Sequence, residues 1–296
     1  MRLIKSSFEI LEQESGIQGI YKQIERAGRT CYRSENRITE DSAEKFVNMI
    51  KDRQHTAMLE HGTVYLNFSY KQLDKFEKYY RNSYSVTNVD KYTGDRGITT
   101  NYRVLYENNW LDDLKYLCEP TEYHEKRITV KFVLPISISR EFCRHRVFSF
   151  AEQSTRYCNY NADKFNNELT FIIPYWTNLQ EARYQFWDND WVDATDQSKI
   201  PDTVLKSFVG DSIDIFLSQC ESAEVNYKAL INRGCKAQEA REILPLCTKS
   251  ELVMTGTIEQ WKGFFVLRDA KSAHPQAYEL AHLLHVEFIH RGYLSE

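Results

Sequence analysis

Glycine placement is the feature that most restricts what this chain can become. Only 11 of 296 residues are glycine, and no two stand in a G-x-G arrangement. The G-x-G-x-x-G turn that brings backbone against a pyrophosphate is absent, and so is the G-x-x-x-x-G-K-[ST] phosphate loop. That argues against a Rossmann or P-loop enzyme. Helical and extended segments also occur in mixed order, without regular βαβα alternation, which predicts an α+β fold and not a doubly wound parallel sheet.

The extended segments are 63–68, two strands around a hairpin turn at Gly94-Asp95, 127–134 (stopped by Pro135) and 170–173. Helices are expected over 41–53, opened by an Asp41 cap with Glu44 three residues later, and over 236–245, 258–268 and 275–290. Thr177-x-x-Gln180 reads as a capping box opening a helix that leads into a surface insertion ending at 201. Pro201 reads as the first residue of a long helix that Gly234 closes. With no repeat, low-complexity tract or Pro/Gly/Ser-rich linker, residues 1–296 are expected to form one domain.

The balance of 38 basic against 42 acidic residues leaves a net charge of −4, which disfavours a generally basic nucleic-acid binder. No apolar run approaches the roughly 18 residues of a membrane span. The start, Met1-Arg2-Leu3-Ile4-Lys5, lacks the apolar stretch of a secretory signal. Seven dispersed cysteines, none in C-x-x-C, then read as reduced thiols of a cytoplasmic protein.

Chemistry concentrates in three places. Residues 140–156 hold four Arg and one His against Glu141 and Glu152. Arg-His-Arg can be a solvated surface turn, but core-like sequence flanks it on both sides, which favours a cleft. Arg presents a planar fork of donors matched to phosphate and to paired carbonyls. Arg241 precedes Pro245 at a helix end, and Arg268 ends the apolar run Phe264-Phe265-Val266-Leu267. A buried guanidinium there needs a partner, and a salt-bridged helix end is the competing reading. Glu60-His61-x-Thr63 gathers a carboxylate, an imidazole and a hydroxyl before a strand, where capping roles compete with chemistry. His282, His285 and His290 share a helix without H-E-x-x-H and carry no metal expectation. There is no G-x-S-x-G elbow.

Arg144-His145-Arg146, seven residues, then Ser154 resembles the R-H-R-x7-S signature of the flavin-dependent thymidylate synthases. Glu152-Gln153-Ser154-x-Arg156 extends the likeness. So do Leu59-Glu60-His61, Ala240-Arg241-x-Ile243-Leu244-Pro245, Phe264-Phe265-x-Leu267-Arg268 with Ala273, Gln276 and Glu279, and Gly28-Arg29-Thr30-Cys31-Tyr32. The chain departs from the pattern at Glu141 (usually Gln), Cys31 (usually Ser), Gly263 (usually Asn) and Thr257-Ile258-Glu259 (usually Asn-x-Arg).

The resemblance implies a twisted, largely antiparallel sheet packed with helices, in a homotetramer with shared active sites. It implies a methyltransferase that reductively methylates dUMP to dTMP, with 5,10-methylenetetrahydrofolate as carbon donor, NADPH as reductant and FAD as hydride carrier. It places Thr63, Arg144, His145, Arg146, Glu152 and His61 at FAD. It places Arg144, Glu152, Gln153, Ser154, Thr155, Arg156, Arg241 and Arg268 at dUMP, with Arg268 catalytic. Segments near 84–108 and 178–201 would be insertions. Another FAD-dependent nucleotide-modifying enzyme, or a module gripping a nucleic-acid backbone, are the alternatives.

Overall fold

The computed structural model describes residues 1–162, 165–187, 190–193 and 211–295. In chain order its elements are β1 (Arg2–Ile4), β2 (Ser7–Leu11), α1 (Gly16–Tyr32), α2 (Ser42–Asp52), β3 (Thr63–Phe68), α3 (Leu73–Tyr80), β4 (Val86–Val89), β5 (Arg96–Asn101), α4 (Tyr102–Glu107), β6 (Arg127–Pro135), α5 (Ile136–Phe142), β7 (Ser149–Glu152), β8 (Thr170–Ile172), β9 (Ala182–Trp187), β10 (Asp190–Asp193), α6 (Ser212–Asn232), α7 (Ala237–Ala240), β11 (Lys249–Thr257), α8 (Ile258–Arg268) and α9 (Pro275–His290).

The class is α+β, as expected, and among the described residues the strands form three sheets. The central sheet runs β2-β6-β11-β7 and is antiparallel throughout. A second antiparallel sheet, β3-β5-β4, carries the expected hairpin, with Gly94 in its turn at φ +74°. The third, β10-β9-β1-β8, is antiparallel except that β1 pairs with β8 in parallel.

Local chemistry explains the sharpest element ends. Thr257 and Gln260 form a reciprocal capping box that starts α8: the Thr257 hydroxyl accepts from the Gln260 N–H at 3.2 Å, and Gln260 Oε1 accepts from the Thr257 N–H at 2.8 Å. Pro275 occupies the first turn of α9, where its missing N–H costs nothing. Helices α8 and α9 pack on the central sheet through Trp261, Phe264, Phe265 and Phe288 against Phe132, Phe142 and Phe148. The Trp261 indole N–H donates to the Ile128 carbonyl at 3.1 Å, so this large ring is buried without an orphaned donor. A second core joins α1 and α2 to β3, β5 and α4, so Ile98, Tyr102, Val104 and Leu105 of the 84–108 segment are buried core residues. A third packs α6 over β1 and β8.

Three expectations need correction. Asp41 is the N-cap of α2 but its carboxylate makes no cap hydrogen bond. The Ser42 hydroxyl instead accepts from the Thr39 N–H at 2.9 Å and donates to Glu25 at 2.8 Å. No helix begins at Thr177, whose hydroxyl donates to the Pro174 carbonyl at 3.0 Å in a turn, and the chain continues into β9. The long helix starts at Ser212, where Asp211 and Asp214 build a capping box; Pro201 lies outside the described residues. Among the described residues no helix is long and apolar enough to cross a membrane.

Candidate active site

Strand β7 and the turn after it hold the first group of functional side chains. β7 pairs with β11 from Ser149↔Thr255 to Leu252↔Glu152, which fixes the start of the turn. The Gln153 N–H donates to the Glu251 carbonyl at 2.8 Å and the Ser154 N–H to the Cys31 carbonyl at 2.9 Å. Glu152 is held by two hydroxyls, Ser139 at 2.5 Å and Ser250 at 3.0 Å.

Facing this turn is the short helical stretch that carries Arg241. Together they enclose a cleft of about 580 Å³ lined by Glu152, Gln153, Ser154, Thr155, Arg140, Arg241 and Glu242 (ion-paired with Arg241 at 3.5 Å), with Ile136, Leu244 and Leu246 as its apolar wall. Arg241 Nη1 donates to the Thr155 hydroxyl at 3.4 Å, which ties the two sides together. The structure therefore brings together five residues expected at dUMP: Glu152, Gln153, Ser154, Thr155 and Arg241. Arg140 was not among the expected site residues, although it opens the densest basic run. Among the described residues Arg140, Arg144 and Arg146 are exposed and make no ion pair with a carboxylate. Arg156 lies beside the cleft, with its Nε donating to Gln238 at 3.3 Å and its guanidinium 5.1 Å from the Tyr157 ring centroid.

Arg268 sits elsewhere within the chain. Its Nη1 meets Glu141 Oε2 at 2.7 Å, its Nη2 donates to the Glu141 carbonyl at 2.8 Å, and its Nε donates to His145 Nε2 at 2.9 Å. The apolar helix end thus has the partner a largely buried guanidinium requires. Burial and the adjacent Arg268 charge push the His145 imidazole down to about 4, so it is neutral at physiological pH with Nε2 as an acceptor. Arg144 and Arg146 thus flank a neutral ring.

His61 and Thr63 are not at the arginine cleft. His61 is fully buried, its Nδ1 hydrogen-bonded to the Thr255 hydroxyl at 2.8 Å. Burial and the nearby Arg127 charge push it down to about 3. An imidazole with no exposed surface cannot touch a cofactor, so the contact assigned to His61 is withdrawn. Thr63 is buried at the start of β3, in a reciprocal pair with Gln13 and accepting from Arg127 at 3.3 Å.

The accessible imidazole on that stretch is His55, six residues earlier and exposed. It lines a cavity of about 450 Å³ with Tyr32, Thr56, Met58, Arg103 and Tyr157. Tyr32 and Tyr157 meet across it, with centroids 5.4 Å apart. The 153–157 turn divides the two spaces: Gln153 to Thr155 line the arginine cleft, while Tyr157 lines the aromatic cavity. Cys31 also borders the aromatic cavity, but burial pushes its thiol up to about 12, which makes it a poor nucleophile. His282 and His285 both engage the Asp269 carboxylate, at 2.9 and 2.7 Å.

Comparison with known proteins adds a family. A flavin-dependent thymidylate synthase of Pyrococcus furiosus is 28% identical over 143 residues, 48% of this chain and 46% of that protein. Proteins of the same name from Geobacter sulfurreducens (24% over 143 residues, 48% of this chain and 47% of that protein) and Corynebacterium aurimucosum (27% over 145 residues, 49% and 50%) also match. The chain spans about half the length of the curated relatives it matches. Among solved structures, a UMP/dUMP methylase PolB from Streptomyces cacaoi bound with 5-Br dUMP aligns over 98% of this chain and 93% of that one, at 17% identity and a TM-score of 0.42. The family described as thymidylate synthase complementing protein matches residues 79–290, well over half of the sequence and including both the Arg144 to Arg156 run and Arg268. The chain belongs to that family.

Proposed function

We propose that the protein is a flavin-dependent thymidylate synthase that methylates dUMP to dTMP, taking the carbon from 5,10-methylenetetrahydrofolate and reducing equivalents from NADPH. The observation that carries this reading is the cleft that sets Arg140 and Arg241 around the Glu152 to Thr155 run. A nucleotide phosphate fits two guanidinium groups and the Ser154 and Thr155 hydroxyls. The uracil ring fits the wall of Ile136, Leu244 and Leu246.

The donor set suits FAD as well. Arg144 and Arg146, exposed and without carboxylate partners among the described residues, match a pyrophosphate. The tyrosine-lined cavity on the far side of the 153–157 turn suits a flat ring. Arg144, Arg146 and Glu152 would hold the cofactor from one side and His55, Tyr32 and Tyr157 from the other. When bound, FAD supplies hydride-transfer chemistry, which no side chain can provide.

The residues of the chain would do the rest. Carbon 5 of uracil is a weak nucleophile, and negative charge stabilised at N3 and the adjacent carbonyl oxygen raises its electron density. A fixed guanidinium in a dry site achieves this without giving up a proton. Arg268 is assigned that role. Arg241, Arg140 and Arg156 would clamp the nucleotide and so fix its orientation.

Within one chain Arg268 is bound to Glu141 and His145 and does not line the cleft. Its neighbours Val266 and Leu267 are 74% and 61% exposed, and Leu283 and Val286 of α9 are more than half exposed. Such an apolar surface fits contact with another copy. The proposed active site therefore takes the nucleotide clamp from one chain and Arg268 from a second, as in a homotetramer. The visible spectrum of the purified protein tests the reading: flavin bands bleached by NADPH support it, and a colourless protein that gains no absorbance with added FAD opposes it.

A further inference from the structure

Behind the arginine cleft lies a polar cavity that the proposed reaction does not use. Its volume is about 260 Å³, and its lining includes Arg2 of β1, Arg33 at the end of α1, Gln153, Tyr160, and Lys249 and Glu251 of β11. Three of these side chains, Gln153, Tyr160 and Glu251, are buried with an atom that makes no hydrogen bond among the described residues, and the Glu251 Oε2 is ion-paired with Lys131 at 2.5 Å. Gln153 is 3% exposed and Tyr160 4%, and among the described residues neither the Gln153 Nε2 nor the Tyr160 hydroxyl has a partner. The amide orientation is fixed, because Gln153 Oε1 accepts from Lys249 Nζ at 3.0 Å and an ammonium can only donate. Turning the amide over would set donor against donor. The unsatisfied donors are therefore an N–H and a hydroxyl.

The two carboxylates around the cavity are already ion-paired. Glu251 is met by Arg33, Lys131 and Lys249. Glu168, which also lines the cavity, pairs with Arg183 at 3.0 Å. Three cationic side chains thus face two committed carboxylates. Leaving a buried donor unmade costs about 1–3 kcal/mol, so two such donors in one cavity call for an acceptor-rich occupant.

We infer that this cavity binds a small oxyanion, a phosphate or a compact carboxylate, with Gln153 and Tyr160 as neutral donors and Arg2, Arg33 and Lys249 supplying charge. The site stands independently of the proposed reaction, yet Gln153 borders both spaces. Occupancy would stiffen the turn that presents Ser154 and Thr155 to the nucleotide.

The test uses the full chain in phosphate-free buffer, with inorganic phosphate and malonate as separate probes, read by calorimetric titration and thermal unfolding. Binding of at least one probe is expected, and the probe that binds identifies the anion class. Tyr160→Phe, which removes only the hydroxyl, should leave the melting temperature without anion unchanged or slightly raised. It should weaken probe binding about tenfold or more, as expected for a lost hydrogen bond to a charged group. Arg33→Gln should weaken binding and reduce its salt dependence. Arg241→Ala, in the other cleft, should leave it intact. Failure of both probes to bind overturns the inference. So does binding abolished by Arg241→Ala but untouched by Tyr160→Phe, which would locate the anion in the nucleotide cleft. A marked fall in melting temperature for Tyr160→Phe without anion also overturns it, since the hydroxyl would then have a permanent partner such as an ordered water.

Discussion

Glu141→Gln isolates the contact that holds Arg268. The ion pair is 2.7 Å long, with side chains 16% (Arg268) and 29% (Glu141) exposed. Fully exposed pairs contribute about 0.2–1 kcal/mol, and breaking a fully buried pair costs about 3–5 kcal/mol. A pair of this burial lies between, at about 1–2 kcal/mol. Two other Arg268 bonds, to His145 Nε2 and to the Glu141 carbonyl, survive the substitution. Glu141→Gln should therefore cost about 1 kcal/mol. Arg268→Gln loses the charge from all three contacts and leaves the Glu141 carboxylate uncompensated, so it should cost about 2–3 kcal/mol. Urea unfolding of both single variants, the double variant and the parent, at one protein concentration, measures the coupling. We expect about 1–2 kcal/mol, shrinking in 1 M salt as screening predicts. Additivity within about 0.3 kcal/mol would show that the pair carries no energy.

Arg241→Ala should weaken dUMP binding about 10–100-fold, the worth of a charged hydrogen bond, while flavin content stays unchanged; equal affinity removes Arg241 from the clamp. Stability should fall on acidification below about pH 6.5, because the unfolded chain protonates the His61 imidazole while the folded chain, with that group held at about 3, does not. The loss approaches about 1.4 kcal/mol per pH unit, so melts at pH 7.5 and 5.0 should differ by about 2 kcal/mol from this group, and a flat profile contradicts its burial. Gly28→Ala should destabilise by about 1–3 kcal/mol, since a Cβ there would lie 2.6 Å from the Phe46 ring. Gly263→Ala in α8, with nothing within 4 Å, should instead stabilise by about 0.5–1 kcal/mol; thermal melts of the two separate a packing glycine from a dispensable one.

The fold was most legible where a local signal decides the structure. Strand β3 and helices α8 and α9 fall where the sequence predicts them, since alternation, the Thr257 box and Pro275 act within a few residues. Strand β11 was missed because nearly every residue is buried, which erases the two-residue alternation that marks a half-buried strand. Helix α1 was missed because it contains three glycines. Gly19 and Gly28 are there because the Glu14 backbone and the Phe46 ring approach closer than a Cβ allows, and packing overrides their poor helix propensity. The false helix at Thr177 shows the limit of a capping pattern, since the same hydroxyl serves a turn equally well.

The site divided along the same line. The run from Glu152 to Thr155 and distant Arg241 do meet, on residue type and the family likeness alone. Burial could not be read. His61 and His55 flank one short turn, and only the packing of β3 and β11 seals one and exposes the other. The Glu141–Arg268 pair joins residues 127 positions apart, so the departure at Glu141 had no visible purpose until its partner was placed.

The proposed reaction is assayed by incubating the purified chain with dUMP, NADPH, FAD and 5,10-methylenetetrahydrofolate carrying a labelled methylene carbon, and analysing the nucleotide product. Labelled dTMP is expected, disappearing when the folate is left out and falling by orders of magnitude in Arg268→Ala. Unlabelled dTMP formed without folate, or no conversion of dUMP by a flavin-loaded protein, would contradict it.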